Sequence, residues 1–101
     1  WEKDPLKAAE GVDYFYTDVW VSMGFEEERA KRLATLAPYQ VNAKLMSLAS
    51  KDVKFLHCLP AHREEEITDK VFEAHANEIF EEAENRLHAQ KAVLAAVMGG
   101  R

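Results

Sequence analysis

Scarcity is the first feature of this sequence, which has one cysteine, three prolines, four glycines and no long apolar run. A single thiol, Cys58, cannot form an internal disulfide, and this fits a reducing cytoplasm. No apolar segment approaches the ~20 residues needed to cross a membrane. The opening residues, Trp1-Glu2-Lys3-Asp4, hold no initiator methionine, basic region or signal-like apolar segment, so nothing there marks the chain for export. Positive charge is also short, with 13 Lys and Arg against 18 Asp and Glu and a formal net charge of −5. Non-specific nucleic-acid binding depends on clustered Lys and Arg that neutralise phosphates. The balance argues against it and favours a small-molecule or protein partner.

What is present is an ordinary globular composition, 48% hydrophobic and 31% charged over 101 residues. That length allows one domain, burying about 60–65% of the surface of its unfolded chain. Asp4-Pro5 is a helix start and Gly11 a stop. Val12–Val21 is dense in β-branched and aromatic residues and predicts a strand around residues 13–17. Phe25–Leu36 follows as a helix ended by Pro38, with acidic residues early and Arg29, Lys31 and Arg32 later. Asn42 caps a second helix, Ala43–Ala49, whose Leu45, Met46 and Leu48 face a core.

A strand at residues 53–58 stops at Pro60, which has no amide hydrogen to give a sheet ladder. Thr68-Asp69 opens a helix through Glu73. Asn77–Phe80 is read as a third strand, and a long helix runs from Glu84 to Gly99-Gly100. Alternating strands and helices of this kind predict an α/β fold with a parallel sheet and flanking helices. Three strands are few for such a sheet. Together with the start at Trp1, this predicts a partial doubly wound, Rossmann-like domain over residues 1–101 whose earlier strands are missing.

In open α/β sheets, ligands bind beyond the carboxyl ends of the strands. Three polar motifs fall there: Asp18 with Ser22-Met23-Gly24, His57-Cys58-Leu59-Pro60, and Glu84-Asn85-Arg86. Each also has a plainer reading. Asp18 can cap a turn, and a lone cysteine is commonly an inert buried residue. The acidic runs Glu26–Glu28, Glu64–Glu66 and Glu81–Glu84 read as solvated faces. Arg86 near a helix start opposes the dipole, which points to an anionic or polar partner. His57, Cys58 and His62 suggest zinc, but adjacent strand residues face opposite ways and no spaced Cys or His pair completes a tetrahedral set, so no metal site is assigned. No protease signature surrounds Cys58 to support a Cys-His nucleophile.

Four segments, Asp18-Val-Trp-Val-Ser-Met-Gly24, Tyr39-Gln-Val-Asn42, Phe55-Leu-His-Cys-Leu-Pro-Ala-His-Arg63 and Glu82-Ala-Glu-Asn-Arg-Leu-His-Ala-Gln-Lys-Ala-Val-Leu94, resemble the C-terminal, ornithine-binding part of the ornithine carbamoyltransferases. The resemblance covers essentially the whole chain, in order. It implies a cytoplasmic enzyme of arginine metabolism that transfers the carbamoyl group of carbamoyl phosphate to the δ-amine of ornithine, giving citrulline and phosphate. It implies no metal or organic cofactor, and a trimer-based homo-oligomer. By the same resemblance, Asp18, Ser22 and Met23 hold the α-amino acid end of ornithine. Cys58 helps position and deprotonate the amine, the Leu59 carbonyl accepts from the carbamoyl nitrogen, and Arg86 polarises the carbamoyl oxygen. The Leu59-Pro60 bond is expected to be cis.

Departures accompany the match. The family's Ser-Thr-Arg-Thr-Arg and His-Pro-x-Gln segments, which grip carbamoyl phosphate in its N-terminal half, are absent from this sequence. The resemblance therefore implies a missing N-terminal domain and an inactive isolated chain. It also implies a final helix left without the domain it packs against. Phe25 stands where Gln is usual and Glu64 where Gly is usual, which touches the mobile substrate loop and the crevice. Two other functions compete: a carbamoyltransferase for another amine or amino acid, and a non-catalytic module that binds ornithine or a protein.

Overall fold

The computed structural model describes residues 1–99. Two short strands, β1 (Tyr14–Thr17) and β2 (Lys54–His57), pair in parallel with Tyr14 opposite Lys54 and Thr17 opposite His57. A parallel pair needs a long crossover. Here it is made by α2 (Arg29–Leu36), flanked by 3-10 turns at Glu26–Glu28 and Ala37–Tyr39, and by α3 (Ala43–Met46). A short α1 (Pro5–Ala8) precedes β1, while α4 (Asp69–Ala74) and the long α5 (Ala76–Met98) follow β2. The predicted α/β class is what the chain adopts, and no described helix is long and apolar enough to cross a membrane.

Local chemistry sets most of the boundaries. The side chains of Asp4, Asn42 and Thr68 accept from the backbone N–H groups of Leu6, Leu45 and Val71, capping α1, α3 and α4. Alternation along the strands then decides which face is buried. Phe55 and His57 turn inward and are wholly buried, while Tyr14, Tyr16 and Lys54 turn outward. Around Phe55 pack Ala9, Val41, Leu45, Ile67, Val71, Phe72 and Ile79, which brings α1, α3, α4 and the start of α5 onto one side of the sheet.

The third strand expected at residues 77–80 is instead the opening of α5, which begins at Ala76 and not at Glu84. A two-residue apolar step, Ile79-Phe80, does not distinguish strand from helix by periodicity. Its neighbours Ala76, Glu78, Glu81 and Glu82 favour helix. Helical geometry lets Ile79 bury itself while Phe80 stays exposed, its ring edge-on to Phe72. It also lets the Glu78 carboxylate accept from the Phe55 N–H at 2.9 Å, on the edge of β2 where a further strand would pair. The sheet among the described residues therefore has two strands.

Candidate functional site

The register of the two strands continues by one residue at their carboxyl ends. Thr17 lies opposite His57, so the next residues, Asp18 and Cys58, rise from the same outward face. The Cys58 thiol donates to Oδ1 of Asp18 at 3.3 Å, and the same oxygen accepts from the Val19 N–H at 2.7 Å. Burial, followed by the hydrogen bond to the Asp18 carboxylate, raises the pKa of the thiol above that of an ordinary cysteine. The phenol of Tyr16 pulls the other way, and its own pKa is raised, first through its contact with Cys58. The pair thus offers a carboxylate beside a neutral thiol at a strand end.

His57 faces away from this pair and is anchored at both ring nitrogens. Nδ1 accepts from the Leu59 N–H at 2.9 Å, which leaves the proton on Nε2, where it is donated to Oε1 of Glu66 at 2.9 Å. That oxygen also accepts from the His62 N–H at 2.7 Å. Both His57 and Glu66 are completely buried. Glu66 corrects the reading of Glu64–Glu66 as a solvated acidic face, for its carboxylate closes the turn after β2 from inside. A ring nitrogen of His57, Cys58 Sγ and an Asp18 oxygen cluster within 4.8 Å. With both His57 nitrogens engaged, however, no imidazole lone pair is free for a metal there, nor for activating the thiol.

The turn itself is held from several sides. Leu59 has φ +56° and the Leu59-Pro60 bond is cis, as the resemblance implies. The Gln40 amide donates to the carbonyls of Glu64 and Glu65 at 3.1 and 3.0 Å, and Val41 N–H donates to the Glu66 carbonyl at 2.9 Å. This gives the Tyr39-Gln-Val-Asn42 segment a physical task, since Gln40 and Val41 clamp the loop while Asn42 caps α3. Arg63 pairs with Asp69 and Glu73 and lies over the Phe72 ring, 4.4 Å from its centroid. The loop is thereby tied to α4 as well.

The other predicted site residues are more dispersed. Ser22 and Met23 sit on an exposed turn after β1, and Phe25 there stacks beneath the Arg32 guanidinium, 4.7 Å from ring to charge. Arg86 lies mid-helix on the exposed surface of α5 and not at a strand end or a helix start, because the third strand that placed it there is helical. His57 and Glu66 are the residues whose positioning roles sequence reasoning missed. Nothing in a run of three glutamates tells which one turns inward.

Such an arrangement, a parallel α/β unit that brings a carboxylate and a thiol together at the carboxyl ends of adjacent strands, is Rossmann-like, and in open sheets of that kind ligands bind beyond that edge. Residues 1–97 match the family described as "Aspartate/ornithine carbamoyltransferase, Asp/Orn binding domain", and the chain belongs to that family. An ornithine carbamoyltransferase of Gloeobacter violaceus is 59% identical over 99 residues, covering 98% of this chain and 32% of that protein. The crystal structure of the anabolic ornithine carbamoyltransferase of Campylobacter jejuni superposes with a TM-score of 0.89 at 43% identity, covering 97% of this chain and 32% of that one. The Pyrococcus furiosus ornithine carbamoyltransferase gives 0.86 at 54% identity, covering 97% and 31%. The chain thus spans about a third of the length of the relatives it matches.

Proposed function

We propose that this chain is the ornithine-binding side of an ornithine carbamoyltransferase, which moves the carbamoyl group of carbamoyl phosphate to the δ-amine of ornithine and yields citrulline and phosphate. The observation that carries this reading is the Cys58–Asp18 pair, a thiol donating to a carboxylate at 3.3 Å at adjoining strand ends. The family match surrounds that pair on both sides in sequence. An amine substrate arrives as an ammonium ion and must lose a proton before it attacks. The Asp18 carboxylate attracts the cation, and the Asp18–Cys58 pair receives and relays the proton.

In this reading Asp18, Ser22 and Met23 hold the amino-acid end of ornithine, and the Leu59 carbonyl, oriented through the Leu59 N–H to His57 bond, accepts from the carbamoyl nitrogen. Arg86 supplies positive charge to the carbamoyl oxygen once its surface meets the rest of the enzyme, since a guanidinium polarises without titrating. No metal or organic cofactor takes part. The carbamoyl phosphate-gripping segments are not in this sequence, so turnover needs a carbamoyl phosphate-binding domain, and the working enzyme is a cytoplasmic homo-oligomer. The exposed apolar side chains of α5, Leu87, Val93, Leu94, Val97 and Met98, suit packing against such a domain.

Calorimetry with ornithine, with and without carbamoyl phosphate, tests the reading. Ornithine binding that weakens in Asp18→Asn supports the assigned site. Robust citrulline formation by the 101-residue chain alone would overturn its dependence on a second domain. Preferential binding of a different amine would move the assignment to another carbamoyltransferase.

A further inference from the structure

We propose that His62, Glu65 and Glu66, on the loop after β2, form a binding site for a divalent transition-metal cation, with Zn2+ as the best chemical match. One ligand atom from each of the three lies within 4.8 Å of the others, and Nδ1 of His62 is 3.8 Å from Oε2 of Glu65. Nδ1 of His62, Oε2 of Glu65 and Oε2 of Glu66 are each buried, and each lacks a hydrogen-bond partner among the described residues. Glu66 is wholly buried, and its other oxygen is already filled by the His57 ring and the His62 N–H.

Buried acceptors left without a donor, as Nδ1 of His62, Oε2 of Glu65 and Oε2 of Glu66 are here, are unfavourable, because each buried polar atom left unpaired costs about 1–3 kcal/mol. A single water molecule brings only two hydrogens. The His62 ring is partly exposed and can carry its proton on the outer Nε2, which leaves Nδ1 a lone pair directed inward. A cation meets all three acceptors at once.

The His62–Glu65 distance is compatible with this. Tetrahedral bonds of about 2.1 Å set ligand atoms about 3.4 Å apart, so the 3.8 Å between His62 and Glu65 closes with a shift of a few tenths of an ångström. One imidazole with two carboxylates leaves a fourth position for water, a ligand set that suits zinc and its neighbours better than Mg2+ or Ca2+. The second oxygen of each carboxylate is already held, Glu66 by His57 and Glu65 by Arg29, which orients the inward oxygens before any ion arrives. The Arg29 charge opposes a cation, and the two carboxylates outnumber it.

The test uses the full chain carrying Cys58→Ser, so that the thiol cannot act as a ligand. Co2+, a spectroscopic stand-in for Zn2+, is titrated by visible absorption, and Zn2+ by calorimetry and thermal unfolding. Supporting results are one cation per chain, visible cobalt bands, and affinity reduced by roughly tenfold or more in His62→Ala and in Glu65→Gln. Circular dichroism checks that each variant is folded, and Zn2+ should raise the unfolding temperature only when His62 and Glu65 are intact. The proposal fails if no binding occurs below millimolar metal, if His62→Ala binds unchanged, or if Cys58→Ser alone abolishes binding.

Discussion

The Nε2 proton of His57 is donated to Oε1 of Glu66 at 2.9 Å, in a place where neither side chain touches solvent. Glu66→Ala leaves two donors, the buried His57 ring and the partly buried His62 N–H, without an acceptor, at about 1–3 kcal/mol for the buried one and less for the other. We expect a marked fall in the urea midpoint at unchanged slope, with Glu66→Gln losing less because its carbonyl oxygen still accepts. Equal losses in the two variants would show that the carboxylate charge, and not the hydrogen bonds, holds the turn.

Cys58 should become more acidic in Asp18→Asn. Burial keeps its pKa above the ordinary range, but the second cause, the hydrogen bond to a carboxylate, disappears with the charge. The pH profile of iodoacetamide alkylation should move to lower pH. The raised folded-state pKa means that the thiol stabilises the fold below its unfolded pKa, and that this contribution is lost as pH rises through the folded value. The alkaline decline in stability should therefore be shallower in the variant.

Glu78 behaves oppositely. Burial pushes its carboxyl pKa up, but the Phe55 N–H, His75 and Lys54 together outweigh burial and leave it lowered. Its contribution is present above the unfolded carboxyl pKa and is lost as pH falls through the folded value. Glu78→Gln should cost about 1–3 kcal/mol at neutral pH, and the gap from the parent should close in acid. Urea unfolding at several pH values measures both.

Glu64 occupies a backbone conformation of φ +66°, which side chains other than glycine rarely adopt. Its carboxylate partly offsets this by accepting from the Asp69 N–H at 2.7 Å. Glu64→Ala should lose that bond and keep the strain, destabilising by about 1 kcal/mol. Glu64→Gly loses the bond but relieves the strain, and should be the more stable of the two variants by about 1 kcal/mol. Thermal unfolding of the pair decides it.

Both strands were legible from their aromatic and branched residues to within a residue at each end, and the caps at Asp4, Asn42 and Thr68 stood in the sequence as short polar side chains before helices. The Asp18–Cys58 meeting also followed from placing both at strand ends. Ile79-Phe80 failed because two apolar residues fit either period, and only contact with β2 settles the choice. That error displaced Arg86 as well. Glu66 was unreadable because burial of one glutamate in three depends on a histidine nine positions earlier and on how the turn after β2 closes. At residue 64, where the family resemblance implies a glycine, the backbone adopts the glycine-like angle with glutamate in place.

The in-step alignment of β1 with β2 has a consequence for tolerance to insertion and deletion. Asp18 meets Cys58 because the ladder counts residues in pairs from Tyr14 and Lys54 onward. Removing one residue anywhere in β1 would swing the carboxylate to the face occupied by His57, and present a neighbour to the thiol in its stead. Loops such as Ser22–Phe25 can change length without touching that pairing. The arithmetic of the strands therefore guards the chemistry more strictly than the identity of any residue between them.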